Sequence, residues 1–295
     1  MPKAVLSNKM YMHVTPELRA DIMKALTYRL ETKGHSKNKL LNVEVIKHYS
    51  FPSAELVAIP IGREDLIPAG YEIIDKRVQE EIDFPLPLIP LRPEQQEYLD
   101  IWEDSGMLNA LVGWGKSYTA LWIAFKLRQK TLIVVHNTML RDQWVDDIKK
   151  MFGIAPGTIG SGKFDIDSAI VVGNVQSVTK HAQALSDKFG TLILDEAHHV
   201  SATTFGSIIA ASKARYKIGL TGTKERKDLK HVLFKDIFGP IIHSPPQSNT
   251  LNPNIRIIKS PWQLNQGECW ANKITQLLND EDYQDFIAFL AKSEQ

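Results

Sequence analysis

The 295-residue chain has a single cysteine, Cys269, so it can form no internal disulfide, and its nine histidines are scattered without the paired spacing of a zinc site. Cys269 reads as an ordinary thiol. No apolar run approaches the roughly 18 residues a membrane span needs, and the opening MPKAVLSNKM lacks the apolar stretch of a signal peptide. A cytosolic protein is the expectation. Charge of one sign is also missing: a net +1 neither demands nor excludes a polyanionic partner, because local basic surface can sit within a balanced total. There is no internal repeat and no low-complexity tract. What is present is 43% hydrophobic content, enough to fill real cores, on a length that suits about two domains of ordinary size.

Pattern and punctuation divide the chain into three stretches, 1–85, 86–247 and 248–295. In the first, Thr15 and Pro16 read as an N-cap and first helical position, and Leu18, Ile22, Leu26 and Leu30 recur every fourth residue up to Gly34. That spacing predicts one amphipathic helix. Short runs at Leu41 to Tyr49, Leu56 to Ile61 and Tyr71 to Lys76, broken by Pro, Ser and Gly, complete a small α+β module. Its excess of cations, including Lys24, Arg29, Lys33, Lys37, Lys39 and Lys47, suits phosphate contact or simply a solvated face.

The proline-rich strip from Phe84 to Pro93 predicts an extended linker, since each proline biases its predecessor away from helix. Beyond it, apolar runs alternate with helical patterns: Met107 to Leu111, Thr131 to His136, Ala169 to Val172, Thr191 to Leu194 and Lys217 to Leu220. That order predicts an α/β domain with a parallel sheet covered on both faces. After Asn137, the residues Leu140, Trp144, Ile148 and Met151 share one helical face and read as core. Ligands of such sheets collect at the carboxyl ends of the strands, where the polar motifs fall here.

The segment Ala110-Leu-Val-Gly113-Trp114-Gly115-Lys116-Ser117-Tyr118 follows a predicted strand and opens a predicted helix. Its glycines allow a tight turn whose backbone N–H groups can close on phosphate oxygens, with the helix dipole adding to the attraction. Lys116 is placed to reach the β- and γ-phosphates of ATP, and the Ser117 hydroxyl to ligate Mg²⁺. The general P-loop pattern has glycine where Ala110 stands. Thr191 to Leu194 then delivers Asp195 and Glu196 at a strand end, followed by Ala197 and His198. One acid suits the metal shell and the other must stay free to accept a proton, so Asp195 is the candidate Mg²⁺ ligand and Glu196 the general base.

These motifs resemble those of superfamily 2 helicases, whose Walker loop reads A-x-x-G-x-G-K-[ST] and whose acidic box reads DEAH. The resemblance implies a RecA-like P-loop NTPase domain preceded by the small module and followed by the start of a second RecA-like domain. Leu91-Arg92-Pro93-Glu94-Gln95 is similar to the family's adenine-recognising element, which gives Gln95, with Arg92, that role. Val135 to Trp144 and Gly173 to Ser177 look like loops that touch the nucleic-acid backbone, making Asn137, Arg141, Gln176 and Ser177 candidates for DNA contact; helix capping by Asn137 and surface exposure of Arg141 are the plainer readings. Thr221, Gly222 and Thr223 resemble the motif that couples the ATP and nucleic-acid sites, with His198 placed to bond toward it. The commoner form has alanine where Gly222 stands, and glycine is expected to loosen the loop.

Ile67-Pro-Ala-Gly-Tyr71 adds a likeness to phage-type branch-migration and DNA-repair helicases. The resemblance implies ATP-dependent work on single-stranded or branched DNA. A second RecA-like domain is expected to begin near Asn252, with Ile255 to Ile258 as a strand and Trp270 to Leu278 as a helix, and no candidate arginine finger follows. Slow turnover is expected unless a separate chain supplies the second motor domain, since loss of such an arginine costs on the order of 10³-fold or more. A non-catalytic ATP- and DNA-binding module is the alternative. A small-metabolite kinase lacks any recognisable acceptor-binding segment.

Overall fold

The computed structural model describes residues 1–33, 41–199, 203–222, 230–246 and 269–293. Met1–Gln247 forms one compact unit and Ser248–Gln295 another.

The first unit opens with β1 (Lys3–Leu6), β2 (Met10–His13), α1 (Pro16–Ala25), β3 (Thr27–Lys33), β4 (Leu41–Lys47), β5 (Leu56–Ile59) and β6 (Glu72–Asp75). Thr15 caps α1, its side chain accepting from the Leu18 amide, and Pro16 starts the helix. The helix stops well before Leu30. Thr27–Lys33 instead pairs antiparallel with Leu41–Lys47 along its whole length. A spacing of four is also a multiple of the strand period of two, so Leu26 and Leu30 satisfy either geometry, and both are buried here. The β-branched and aromatic Thr27, Tyr28 and Thr32 favour the strand. Strands β5-β2-β1-β6 make a four-stranded sheet that packs on α1 through Leu6, Met10, Met12, Ile22 and Ile59. Lys24, Arg29 and Lys47 are exposed, whereas Gly34, Lys37 and Lys39 lie outside the described residues.

A buried carboxylate fastens this module to the α/β part of the same unit. Asp236 is fully buried and accepts from Tyr28 Oη at 2.8 Å and Arg63 Nη1 at 3.3 Å, with His48 Nδ1 at 2.7 Å. The prolines do keep Phe84 to Pro93 extended until Pro93 starts a helix, but the strip is no free tether. Phe84 is buried against Phe125 and Phe152, Trp122 Nε1 donates to the Ile89 carbonyl at 2.9 Å, and the Leu88 amide donates to the Met151 carbonyl at 2.6 Å. Phe84, Ile89 and Leu91 pack on the core and turn a linker composition into a strap, while Leu86 and Leu88 between the prolines stay exposed.

The α/β part comprises α2 (Pro93–Asp100), β7 (Gly106–Asn109), α3 (Lys116–Leu127), β8 (Thr131–Val135), α4 (Thr138–Phe152), β9 (Gly157–Gly160), β10 (Lys163–Phe164), β11 (Ile170–Asn174), α5 (Val175–Lys180), β12 (Thr191–Leu194), α6 (Thr203–Ala211), β13 (Tyr216–Thr221), α7 (Phe234–Phe238) and β14 (Ile242–His243). The eight strands take the order β10-β9-β11-β8-β12-β13-β7-β14, all parallel except for the β10–β9 pair. All five predicted strands are present, and β9, which has a glycine at each end, and the two-residue β10 and β14 extend the edges. One core, including Trp102, Leu121, Ile133, Trp144 and Ile148, lies on one face of the sheet; the other, including Leu132, Val178, Leu192, Phe205 and Phe238, lies on the opposite face. Alternation along β8 divides the two, Leu132 and Val134 facing one way and Ile133 and Val135 the other.

In the second unit, α8 (Trp270–Leu278) and α9 (Glu281–Ser293) are described. The helix at 270–278 is where the sequence places it, and the expected strand at 255–258 lies outside the described residues. Cys269 is exposed at the start of α8. Among the described residues no helix is long and apolar enough to cross a membrane.

Candidate functional site

The strand order puts β7, β13 and β12 side by side, so the loops after them share one edge of the sheet. The loop after β7 is shaped by Gly113 (φ 84°) and Gly115 (φ 91°), conformations open to glycine without strain. Gly115 caps α3, which begins at Lys116. A side chain there would also collide with the Gln95 amide. Gln95 is buried: its Oε1 accepts from the Arg92 amide at 3.0 Å and its Nε2 donates to the Trp114 carbonyl at 3.0 Å. Arg92 donates to the same Trp114 carbonyl. Both residues therefore brace the loop from behind, while Tyr98 packs edge-on against the Trp114 ring.

Lys116 Nζ donates to the Ala110 carbonyl at 2.8 Å and the Leu111 carbonyl at 3.2 Å, held over the loop's own mouth. Burial lowers its pKa, opposed by the charges of Glu196 and Asp195, which lie close enough to act on it. Ser117 and Tyr118, in the first turn of α3, are half-buried.

At the end of β12, Asp195 is fixed from two directions. Its Oδ2 accepts from Trp144 Nε1 at 2.8 Å and its Oδ1 from the Glu196 amide at 2.9 Å. The donor role of Trp144 is not legible in its helical spacing, which marks it only as core. Glu196 has φ 51°, a left-handed conformation unusual for a non-glycine residue and of the kind that functional sites hold under strain. Glu196 Oε2 lies 3.0 Å from His198 Nδ1, which is also 3.2 Å from Thr221 Oγ1 at the end of β13. A short polar chain therefore joins the acidic box to the coupling motif. Gly222 stands 3.8 Å from Lys116 Nζ, measured from the position of an added Cβ, and nothing there would obstruct alanine. Thr223 lies outside the described residues. Leu111, Asn137, Glu196, His198 and Gly222 line one open cleft of about 430 Å³.

The other half of the same edge, at β8, β11 and β9, gathers the remaining candidates. Asn137 caps α4, accepting from the Leu140 amide at 2.9 Å. Asn137→Ala should therefore cost about 1 kcal/mol of stability in a denaturant titration, apart from any effect on ligand binding. Arg141 is 9% exposed, not out on the surface, and its guanidinium donates to Ser161 Oγ at 3.0 Å and Asp142 Oδ1 at 2.8 Å. Arg141 Nη1, Asn174 Oδ1 and Ser177 Oγ converge to within 3.0, 3.1 and 3.5 Å of where a Gly160 side chain would begin. Asn174 Oδ1 is buried there without a hydrogen-bond partner. Gln176 is exposed on α5. Gly160 and Ser161 belong to no motif that the sequence shows, the Gly160-Ser-Gly162 turn being the one local signal for them, whereas Asn174 lies within the Gly173 to Ser177 segment but is not among its expected contact residues.

A parallel sheet whose central strand ends carry a glycine-shaped phosphate loop and an adjacent acidic pair defines a P-loop nucleotide-binding protein of the RecA-like class. Residues 88–226 match the family described as "Type III restriction enzyme, res subunit". The chain is 43% identical to the probable helicase D10 of Escherichia phage T5 over 98% of its own length and 64% of that protein. It is 35% identical to the DNA 3'-5' translocase XPB2 of Sulfurisphaera tokodaii over 58% of its length and 39% of that protein. The UvsW helicase from bacteriophage T4 shares the fold across 83% of this chain and 99% of that one, with a TM-score of 0.60 at 20% identity. Over residues 88–226 and beyond, the chain is thus similar to proteins described as helicases and DNA translocases. It spans under two thirds of the length of the phage T5 and Sulfurisphaera relatives.

Proposed function

We propose that the chain is the ATP-binding part of a DNA helicase or translocase. The observation that carries this reading is the sharing of one sheet edge: Lys116, Asp195, Glu196 and Thr221 stand at the ends of three adjacent strands. Lys116 takes the β- and γ-phosphates, with the amides of the Gly113–Lys116 turn closing on their oxygens. Arg92 and Gln95 act from the adenine side through the loop they brace, flanked by Trp114 and Tyr118.

Ser117 and Asp195 offer the hard oxygen donors that suit Mg²⁺, an ion commonly held by one or two carboxylates together with substrate phosphates. When bound, Mg²⁺ would screen the charge on the phosphate oxygens. Asp195 is presented for this in a fixed rotamer by Trp144. Glu196, whose Oε2 is bonded to His198, orients the attacking water and accepts its proton. The His198–Thr221 bond carries the state of that site to the coupling motif. Asn137, Arg141, Gln176 and Ser177 meet the DNA backbone on the β8–β11 side, Arg141 by exchanging its bonds to Ser161 and Asp142 for phosphate oxygens.

Residues 1–295 by themselves are expected to turn ATP over slowly. The cleft beside Glu196 and His198 is open among the described residues, and a site of this kind reaches full rate when a second lobe closes it and adds charge stabilisation. Titration of the purified chain with a fluorescent ATP analogue and with single-stranded DNA tests the proposal. Binding of both, with little hydrolysis, is expected. Brisk DNA-stimulated hydrolysis would overturn the slow-turnover part, and failure to bind nucleotide would overturn the whole.

A further inference from the structure

At the far edge of the large sheet an exposed aromatic pair lies next to the cluster around Gly160. Strand β9 ends at Gly160, the chain turns through Ser161 and Gly162, and β10 returns antiparallel with Phe164 opposite Ile159. Phe164 is 47% exposed, although it belongs to a sheet whose central strands are fully buried. Its ring centroid is 4.6 Å from that of His181 at the C-terminus of α5, with the planes inclined at 53°. His181 is four residues beyond Ser177 and so continues the same face of the chain's helical path. Arg141, Ser161, Ser177, His181 and Phe164 thus form a sequence of neighbours from the carboxyl edge of the sheet to its outer strand.

Two exposed lysines, Lys163 and Lys180, directly precede Phe164 and His181 in the chain. The nearby Asp165 carboxylate accepts from the Asp167 amide at 3.3 Å. On its α4 side, Phe164 forms part of the wall of an open cavity of about 450 Å³, with Lys149 and Lys163 also lining it. A core role would bury the phenyl ring; exposed rings beside cations are the pattern by which single strands are held, because every base offers a π-face and every linkage a phosphate.

We propose that Phe164 and His181 form a stacking platform for a base of single-stranded DNA whose neighbouring phosphates lie on the Arg141–Ser177 cluster. This rests on the proposed DNA-binding function. It adds a base contact to a surface otherwise suited to the backbone alone, independent of base identity.

The test is fluorescence anisotropy of the full chain with a short labelled DNA strand, alongside a strand of the same length made of abasic sites. Phe164→Ala should weaken binding to the normal strand by roughly 5- to 150-fold, the range that loss of one stacked base gives. It should leave binding to the abasic strand unchanged, whereas a merely structural role would weaken both alike. Phe164→Trp should retain wild-type affinity, and His181→Ala should give a smaller loss confined to the normal strand. Equal binding of the normal strand by wild type and Phe164→Ala overturns the platform and leaves the DNA-binding function standing. No binding of DNA by the wild type overturns both, and tighter binding of an RNA strand of the same sequence overturns the assignment to DNA.

Discussion

Glu196→Gln is expected to lower ATP hydrolysis by about 10²- to 10⁴-fold, the contribution of a well-placed general base, while leaving nucleotide affinity close to wild type. The amide keeps the size of the side chain and its ability to bond to His198, but it cannot accept a proton from water at neutral pH. Because turnover by the 295 residues alone is expected to be slow, the comparison is made in single-turnover experiments with radiolabelled ATP, which read the chemical step directly. Lys116→Ala should behave differently. Its ammonium is held by the Ala110 and Leu111 carbonyls within reach of Asp195 and Glu196, so its removal takes away the cation that faces the phosphates. Nucleotide binding should be lost with it, while single-stranded DNA binding on the β8–β11 side persists. A Glu196→Gln protein that hydrolyses at the wild-type rate would remove Glu196 from the base role. A Lys116→Ala protein with unchanged ATP affinity would remove the phosphate assignment of the loop.

The difference between these two substitutions comes from the strand order. Lys116 follows β7 through the glycine loop and Glu196 follows β12, and β13, which ends at Thr221, lies between those two strands. Adjacent strands lie about 4.8 Å apart, and the His198–Thr221 bond spans one of these steps. On the proposed reading, binding and chemistry belong to different strands, and Thr221 lies on the strand between them. Gly222 leaves room for the alanine that the commoner form of the motif carries, since an added Cβ would meet only ordinary contacts with the Ala110 carbonyl and Lys116.

The parts of this site that are legible in the sequence are those whose chemistry is local. The Walker loop needs glycines at set positions and a lysine at the helix start, and the acidic box needs two acids at the end of an apolar strand; each is contained within eight residues. The parts that are not legible depend on long-range packing. Trp144 donates to Asp195 across 51 positions, Gly160 meets Arg141 and Asn174 only because β9 lies beside β11, and Asp236 binds Tyr28 across 208 positions. In the fold, the parallel strands are visible as apolar runs because both faces are covered. Strand β3 reads as helix because spacing by four fits both periods, and no turn residue separates Leu26 from Thr27. The strap at Phe84 to Pro93 is extended as its prolines require, but Phe84, Ile89 and Leu91 decide that it packs, with Leu86 and Leu88 left exposed.

Lys217→Met is expected to stabilise the protein at neutral pH and to remove a rise in stability with pH. Lys217 lies on β13 and is 1% exposed, its Nζ donating to the Ala214 carbonyl at 3.3 Å. Burial, reinforced by the positive charges of Arg77 and Arg215, brings its pKa from 10.5 down to about 7. Between pH 7 and 10.5 the unfolded chain holds this proton and the folded chain does not, so stability rises with pH across that window. Below it the full penalty applies, on the order of 5 kcal/mol. Above about pH 10 the trend turns over, because Tyr28, whose pKa is raised by burial and the neighbouring Asp236, must stay protonated in the folded state while the unfolded tyrosine ionises. Methionine nearly matches the lysine stem in length and needs neither a proton nor a partner. Urea titrations at pH 7 and pH 9 check this: the wild type should gain about 2 to 3 kcal/mol between them, and Lys217→Met should gain little while exceeding the wild type at pH 7. A wild-type midpoint that stays level or falls between pH 7 and pH 9, with Lys217→Met no more stable, would mean that the buried ammonium is compensated in the folded state.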